Sequence, residues 1–410
     1  MSRRSLWAMG LVLLAGIVVH GATPKKPRRL APVQTEGAPI ETPSVLAPFF
    51  ASLDALTEAK GESATPVRIC VFGDSHTAAD FFTGRLRASL QARFGDAGPG
   101  LILPARPWRG YPHEGLEQDF GRRWPTTSLR GAEPNPWVGL AGATLEIPEE
   151  ESLGLRGAFG SFALHVWGSD GLEPRVSPSE PVAEMPPGID ALALKEMFRL
   201  DAGGGRLRIL QPDAPGPWNE LFLSLPAGLR LLGVDLRSGR SGVLVDELGI
   251  NGAECFDLER WDPALRKALL AQARPSLLVL AYGTNDLGRK DLDGQAYRER
   301  AANLFRTLGL ESGAPILVLG PLDRMGRRRR GQNFKAASRT VIAALRGASA
   351  EAGCAFWNAK AAMGGDGAIL RWRKKRLAQR DLVHLTMPGY QKLADLLLKA
   401  LEDARKAGQE

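Results

Sequence analysis

Hydrophobic periodicity changes twice along this chain, and those changes constrain its fold more than any other feature. Over 46–110, and again from 243 to the end, apolar strand-like runs alternate with helical repeats, the pattern of a parallel sheet wound with helices. Strands are expected at 67–72, 243–250, 277–282, 316–319 and 355–357, and helices at 77–94, 293–308 and 389–404. The first helix sets Phe81, Leu86, Leu90 and Phe94 near one face and stops at Gly95. The last carries Leu393, Leu396, Leu397 and Leu401 along one stripe. Between the two blocks, 111–242 is rich in Gly and Pro. It holds Trp124, Trp137, Trp167 and Trp218 and shows short alternating runs at 161–167, 206–210 and 220–225, the texture of an all-β sandwich. Because α/β texture resumes afterwards, the expected organisation is a core in two parts, 45–110 and 243–410, with a β-sandwich inserted over 111–242.

The amino terminus reads differently again. Arg3 and Arg4 precede an apolar run over 6–19 and the small residues Gly21 and Ala22, the order of a secretory signal. Residues 1–22 are therefore expected to be a signal peptide or an uncleaved anchor, and 23–44, rich in Pro, Lys and Arg, a flexible tether. Export to the periplasm or cell envelope follows as the expectation. With 44% apolar and 24% charged residues, neither a disordered chain nor a multi-span membrane protein fits.

The net charge is +8, with basic clusters at 25–29, 327–330 and 371–376. These lack the interleaved aromatics of a stacking surface, so no nucleic-acid partner is expected. An anionic wall polymer or membrane surface suits them better, with membrane attachment only through the amino-terminal anchor. Arg327 to Arg330 follow the strand at 316–319 and could face an anionic glycan, although a solvated loop explains them better. Three cysteines, Cys70, Cys255 and Cys354, are too few and too far apart for a disulfide framework or zinc cluster, so no metal or cofactor is expected. Cys70 and Cys354 read as buried thiols.

Three short segments carry chemistry together that none carries alone. In Gly73-Asp74-Ser75-His76 a strand runs into a helix, so the Ser75 hydroxyl projects at the carboxyl edge of the sheet beside free backbone N–H groups. In Gly283-Thr284-Asn285-Asp286 an asparagine amide stands at another strand end, where it can donate to a carbonyl oxygen gaining charge. In Asp381-Leu382-Val383-His384 a spacing of three lets the carboxylate reach the imidazole Nδ1–H while Nε2 faces elsewhere, as a general base requires. Nucleophile, donor, base and orienting acid thus all fall at expected strand ends. His76 adjoins the nucleophile, but neighbouring side chains diverge, so a local hydrogen bond is expected of it rather than proton transfer.

The ordered set Gly73-Asp74-Ser75, Gly283-Thr284-Asn285-Asp286 and Asp381-Leu382-Val383-His384 resembles the SGNH hydrolase superfamily, also called GDSL esterases. The resemblance implies a flavodoxin-like three-layer core without a metal, and a triad of Ser75, His384 and Asp381. It also implies a glycine N–H in the oxyanion hole after the second core strand, which falls on Gly252 in Gly249-Ile250-Asn251-Gly252-Ala253. More narrowly, the stretch over 73–82, Gly353-Cys354-Ala355-Phe356-Trp357, Met363-Gly364-Gly365 and the β-rich insertion resemble peptidoglycan O-acetylesterases, in which the insertion is carbohydrate-binding-like. Leu382 departs from that pattern, standing where a histidine is expected. The implied function is an exported serine esterase that removes O-acetyl groups from an envelope polysaccharide, peptidoglycan foremost. A polysaccharide O-acetyltransferase with the same triad and a non-catalytic wall-binding protein are the other readings.

Overall fold

The computed structural model describes residues 37–58, 65–108, 113–131, 137–169, 171–177, 192–202, 205–213, 220–325 and 334–408. The signal or anchor over 1–22, the basic cluster at 25–29, Trp218 and Arg327 to Arg330 lie outside them. At the centre is a six-stranded sheet in the order Ile40–Glu41, Ala355–Trp357, Ile316–Leu319, Leu277–Ala281, Val67–Gly73, Val243–Gly249. Every neighbouring pair is parallel except the first, where Ile40 faces Trp357 antiparallel. Residues 40–44, placed in the tether by composition, therefore belong to the folded body: burial of Ile40 and a Trp357 Nε1–H bond to the Ala38 carbonyl (3.0 Å) hold them.

Strand side chains alternate between two apolar layers, as a pleat with period two requires. Val67, Ile69 and Val71 pack with the helices Ala47–Glu58, Phe81–Phe94 and Met387–Ala407. Cys70 and Phe72 face the opposite layer, which includes the helices Pro263–Ala273, Gly294–Ser312 and Phe334–Ala352. Helix, sheet, helix is the three-layer SGNH hydrolase arrangement, and antiparallel sheets are added to it. Three expected strands end one residue differently, and the helix expected from 77 begins at Phe81. Residues 77–80 turn instead, with Thr77 and Ala78 N–H on the Asp74 carbonyl (3.0 and 3.1 Å) and Asp80 in the left-handed region at φ 51°. Asp80 holds that conformation because its buried carboxylate accepts from Thr83 Oγ1 (2.7 Å) and pairs with buried Arg87.

The antiparallel strands form a seven-stranded and a four-stranded sheet among the described residues. The larger one also takes Gly100–Ile102, upstream of residue 111, paired with Arg230–Arg237. Trp124 and Trp167 are buried in its core, and Trp137 stacks on Trp167 with centroids 4.5 Å apart. All three cysteines are free and buried. No helix among the described residues is long and apolar enough to cross a membrane, and none of their His, Cys, Asp and Glu side chains form a cluster suited to a metal ion.

A buried ionic knot joins the parallel sheet to the larger antiparallel one. Arg68 Nη2 donates to Asp235 Oδ1 (2.5 Å), and its Nε lies 3.0 Å from Asp246 Oδ2. The Asp246 carboxylate also accepts from Leu101 N (2.8 Å) and from the Cys70 thiol (3.3 Å). Removing the shared cation leaves Asp246 buried without a countercharge. We expect Arg68→Ala to cost about 3–5 kcal/mol in urea denaturation. A loss below about 1 kcal/mol would show that the knot does not hold the two sheets together.

Candidate active site

Sheet register brings the candidate residues together. Gly73 lies opposite Gly249 on one side and Ala281 on the other, so three strands end level at the carboxyl edge. Ser75 follows the first, Gly252 the second and Asn285 the third. Gly73 has to be glycine, because a Cβ there would collide with Thr77 Oγ1 and press on the Ala281 carbonyl. Asp381 and His384 arrive from a loop pinned by buried Leu385 and by a Gln379 N–H bond to the His384 carbonyl (2.8 Å). Thr386 then caps the final helix by accepting from Gly389 N (3.3 Å).

The side chains form one line. Ser75 Oγ is 2.9 Å from His384 Nε2, and His384 Nδ1 is 2.7 Å from Asp381 Oδ2. Asp381 Oδ1 also accepts from the Val383 and His384 N–H groups (2.9 and 3.0 Å). Burial alone would raise the Asp381 pKa, but the His384 ring and these N–H groups outweigh it and hold the carboxyl below its ordinary range. A permanently ionised Asp381 fixes the tautomer in which His384 Nε2 can accept the Ser75 proton. Leu382, at the position where the resemblance expects histidine, sits at φ 57° and does not disturb the Asp381 to His384 contact.

The loops that leave this edge carry hydrogen-bond donors. No hydrogen bond among the described residues engages the Ser75 or Gly252 N–H. Gly252 adopts φ 80°, open to glycine at little cost. Asn285 Nδ2 donates one hydrogen to the Ala253 carbonyl (2.9 Å), which ties its amide to the Gly252 loop and leaves the second hydrogen available. Asp286 steadies the same loop by accepting from Cys255 N (3.4 Å) and Tyr297 OH (2.8 Å); its pKa rises to about 6, chiefly through burial. Burial likewise raises Asp74 to about 7, with the nearby Asp286 charge adding to it, while its Oδ1 accepts from His76 N (2.9 Å).

His76 does not point at the serine. Its Nδ1 is 2.9 Å from Tyr390 OH, and its ring centroid is 5.4 Å from that of His384. Sequence reasoning missed Tyr390 as that partner and also missed Arg324, whose Nη1 donates to the Thr284 carbonyl (2.8 Å) while its guanidinium lies 4.7 Å from the Phe334 ring centre. Neither stands at a diagnostic spacing from the residue it touches.

Residues 218–392 match the GDSL-like lipase/acylhydrolase family. The chain carries a GDSL-like lipase/acylhydrolase domain. It is accordingly a carboxylic ester hydrolase. The matched span holds Gly252, Asn285, Asp381 and His384, whereas the strand leading to Ser75 lies upstream, on the far side of the antiparallel sheets. Among solved structures, the chain is similar to one described as a peptidoglycan O-acetylesterase, at 22% identity and a TM-score of 0.71 over 88% of this chain and 97% of that one. It is also similar, over a smaller part, to a GDSL-like lipase from Parabacteroides merdae (20% identity, 40% of this chain and 73% of that one, TM-score 0.32). A lipase/acylhydrolase from Enterococcus faecalis is comparable (20% identity, 40% and 77%, TM-score 0.30). No curated protein sequence matches it.

The environment of His76 yields a test of the acylhydrolase site. Burial, aided by the His384 and Arg324 charges, lowers its pKa from 6.5 to about 3, so the ring is neutral at any working pH. With the folded pKa depressed, its share of stability is present above about 6.5 and is lost as pH falls through about 3. We expect His76→Gln to leave the acid limb of the kcat/KM profile for a soluble acetate ester in place. The variant should also lose less stability than the parent between pH 6.5 and 4. An acid limb displaced by His76→Gln would make His76 a titrating base of the reaction.

Proposed function

We propose that the chain is an exported serine esterase that removes O-acetyl groups from an envelope polysaccharide, peptidoglycan foremost. The line from Ser75 through His384 to Asp381, at a sheet edge whose neighbouring loops carry Gly252 and Asn285, is the observation that carries this reading. The substrate class rests on the extended likeness to a structure described as a peptidoglycan O-acetylesterase, and on the sequence resemblance around Ser75. Export rests on the order of residues 1–22. In the same reading, the six-stranded sheet from Ile40 onward and its helices form the catalytic core, and the antiparallel sheets an inserted, carbohydrate-binding-like sandwich.

In this mechanism His384 Nε2 takes the Ser75 proton as Oγ attacks the acetyl carbon. Charge gathering on the carbonyl oxygen is met by the Ser75 and Gly252 N–H groups and the free Asn285 amide hydrogen, all held by backbone and therefore needing no reorganisation. As the tetrahedral adduct collapses, His384 returns the proton to the departing sugar oxygen, leaving Ser75 acetylated. His384 then deprotonates water, which attacks the acetyl group, and acetate leaves as Ser75 recovers its proton. The exposure of the His384 and Asp381 side chains, 36% and 44%, gives water a direct approach.

Acetate release from O-acetylated peptidoglycan tests the reading. Ser75→Ala and His384→Ala should each lower it by about three powers of ten or more, since triad members act as a unit. For Asn285→Ala the expected loss is about two to three powers of ten, the usual cost of one oxyanion donor. Full activity in the Ser75 variant would sink the mechanism. Acetate released from a simple aryl ester but not from the wall polymer would retain the esterase and reject the substrate.

A further inference from the structure

One exposed cation of the antiparallel region reaches the catalytic edge. Arg130 follows the strand Thr126–Ser128 and the fully buried Leu129, whose N–H bonds to the Gly142 carbonyl (2.9 Å), so its backbone is anchored while its side chain makes no hydrogen bond or ion pair among the described residues. Gly142 in turn packs against Ile250, and the Val138 carbonyl accepts from Trp261 Nε1 (3.2 Å), which locks this turn onto the loop after Val243–Gly249. The Arg130 guanidinium ends on Gly252. A Cβ on that glycine would lie 2.7 Å from Arg130 Nε and 2.9 Å from Cζ. The cation thus covers the face from which a side chain would project, beside the N–H assigned to the oxyanion.

Arg122, Arg156, Arg208 and Arg237 of the same region pair with carboxylates, but among the described residues no carboxylate pairs with Arg130. Glu254, two residues beyond Gly252, is already held by Arg289 (2.7 Å). A planar fork of N–H donors with no countercharge among the described residues, beside an ester-hydrolysing site, matches a carboxylate better than any neutral group.

We propose that Arg130 is a carboxylate-binding subsite of this enzyme. It receives an anionic group carried by the alcohol part of the substrate, close to the ester, and so selects acetylated polymers that bear carboxylates. This inference rests on the esterase reading above, and it assigns to the antiparallel region a residue that touches the substrate.

The test compares 3-acetoxybenzoate with the isosteric neutral 3-acetoxybenzamide, taking the ratio of their kcat/KM values in the full chain and in R130A, R130K and R130E. The ratio should favour the anion in the parent and fall about tenfold in R130A, through KM. It should be partly kept in R130K and inverted in R130E, and the parent's preference should weaken as salt screens the pair. A ratio that none of the three variants moves would overturn the subsite while leaving the esterase intact. Absence of Ser75-dependent turnover of either ester would instead overturn the esterase reading, and the subsite with it. As a second readout, capping the free carboxylates of O-acetylated peptidoglycan as amides should slow acetate release by the parent but not by R130A. Equal slowing in both would count against Arg130.

Discussion

The site depends on one constraint, the register of three parallel strands. Once Gly73 lies opposite both Gly249 and Ala281, the loops carrying Ser75, Gly252 and Asn285 leave the sheet at the same level and on the same edge. A slip of one residue would turn every side chain to the other layer, moving Val71 and Phe72 out of their cores. Two apolar layers therefore enforce the register, and the register aligns the chemistry. Ser75 lies outside the span matched to the lipase/acylhydrolase family, yet it enters the site through the central strand of the same ladder.

The ionic knot around Arg68 extends this logic to the antiparallel sheets. It couples the start of the nucleophile strand to Asp235 on Arg230–Arg237 and to Asp246 on Val243–Gly249. Buried charges of this kind fix geometry more than they add stability, because desolvation offsets much of their attraction. The knot holds the antiparallel region in one pose against the core, and the anchored turn at Leu129 uses that pose to set Arg130 over Gly252. Packing far from the serine thereby decides what stands at the mouth of its site.

Much of this was legible in the sequence because it follows from period and local chemistry. Strands at 316–319 and 355–357 match Ile316–Leu319 and Ala355–Trp357, since short apolar runs between helical repeats leave little freedom. The spacing of Asp381 and His384 foretold their contact because three residues on a turn fix it. The start of the helix at Phe81 was hidden, because the left-handed Asp80 depends on Arg87 and the distant Glu114 N–H (2.8 Å). Ile40–Glu41 was hidden by composition: a two-residue edge strand has no period of its own and forms only against Trp357 and Phe356. Tyr390, Arg324 and Arg130 were invisible for a related reason. Each acts across a tertiary contact, with His76, Thr284 and Gly252 respectively, that no local pattern encodes.

The most direct measurement is the position of covalent modification after the full chain reacts with an alkyl fluorophosphonate, read by proteolysis and fragment sequencing in a mass spectrometer. Such a reagent reacts fastest with a serine whose proton a neighbouring base removes, and its adduct mimics the tetrahedral one that the donors at Gly252 and Asn285 would hold. A single adduct on Ser75, forming in step with loss of esterase activity and far more slowly in His384→Ala, is the expected result. Loss of activity with Ser75 unmodified and the adduct on another residue would contradict Ser75 as the nucleophile.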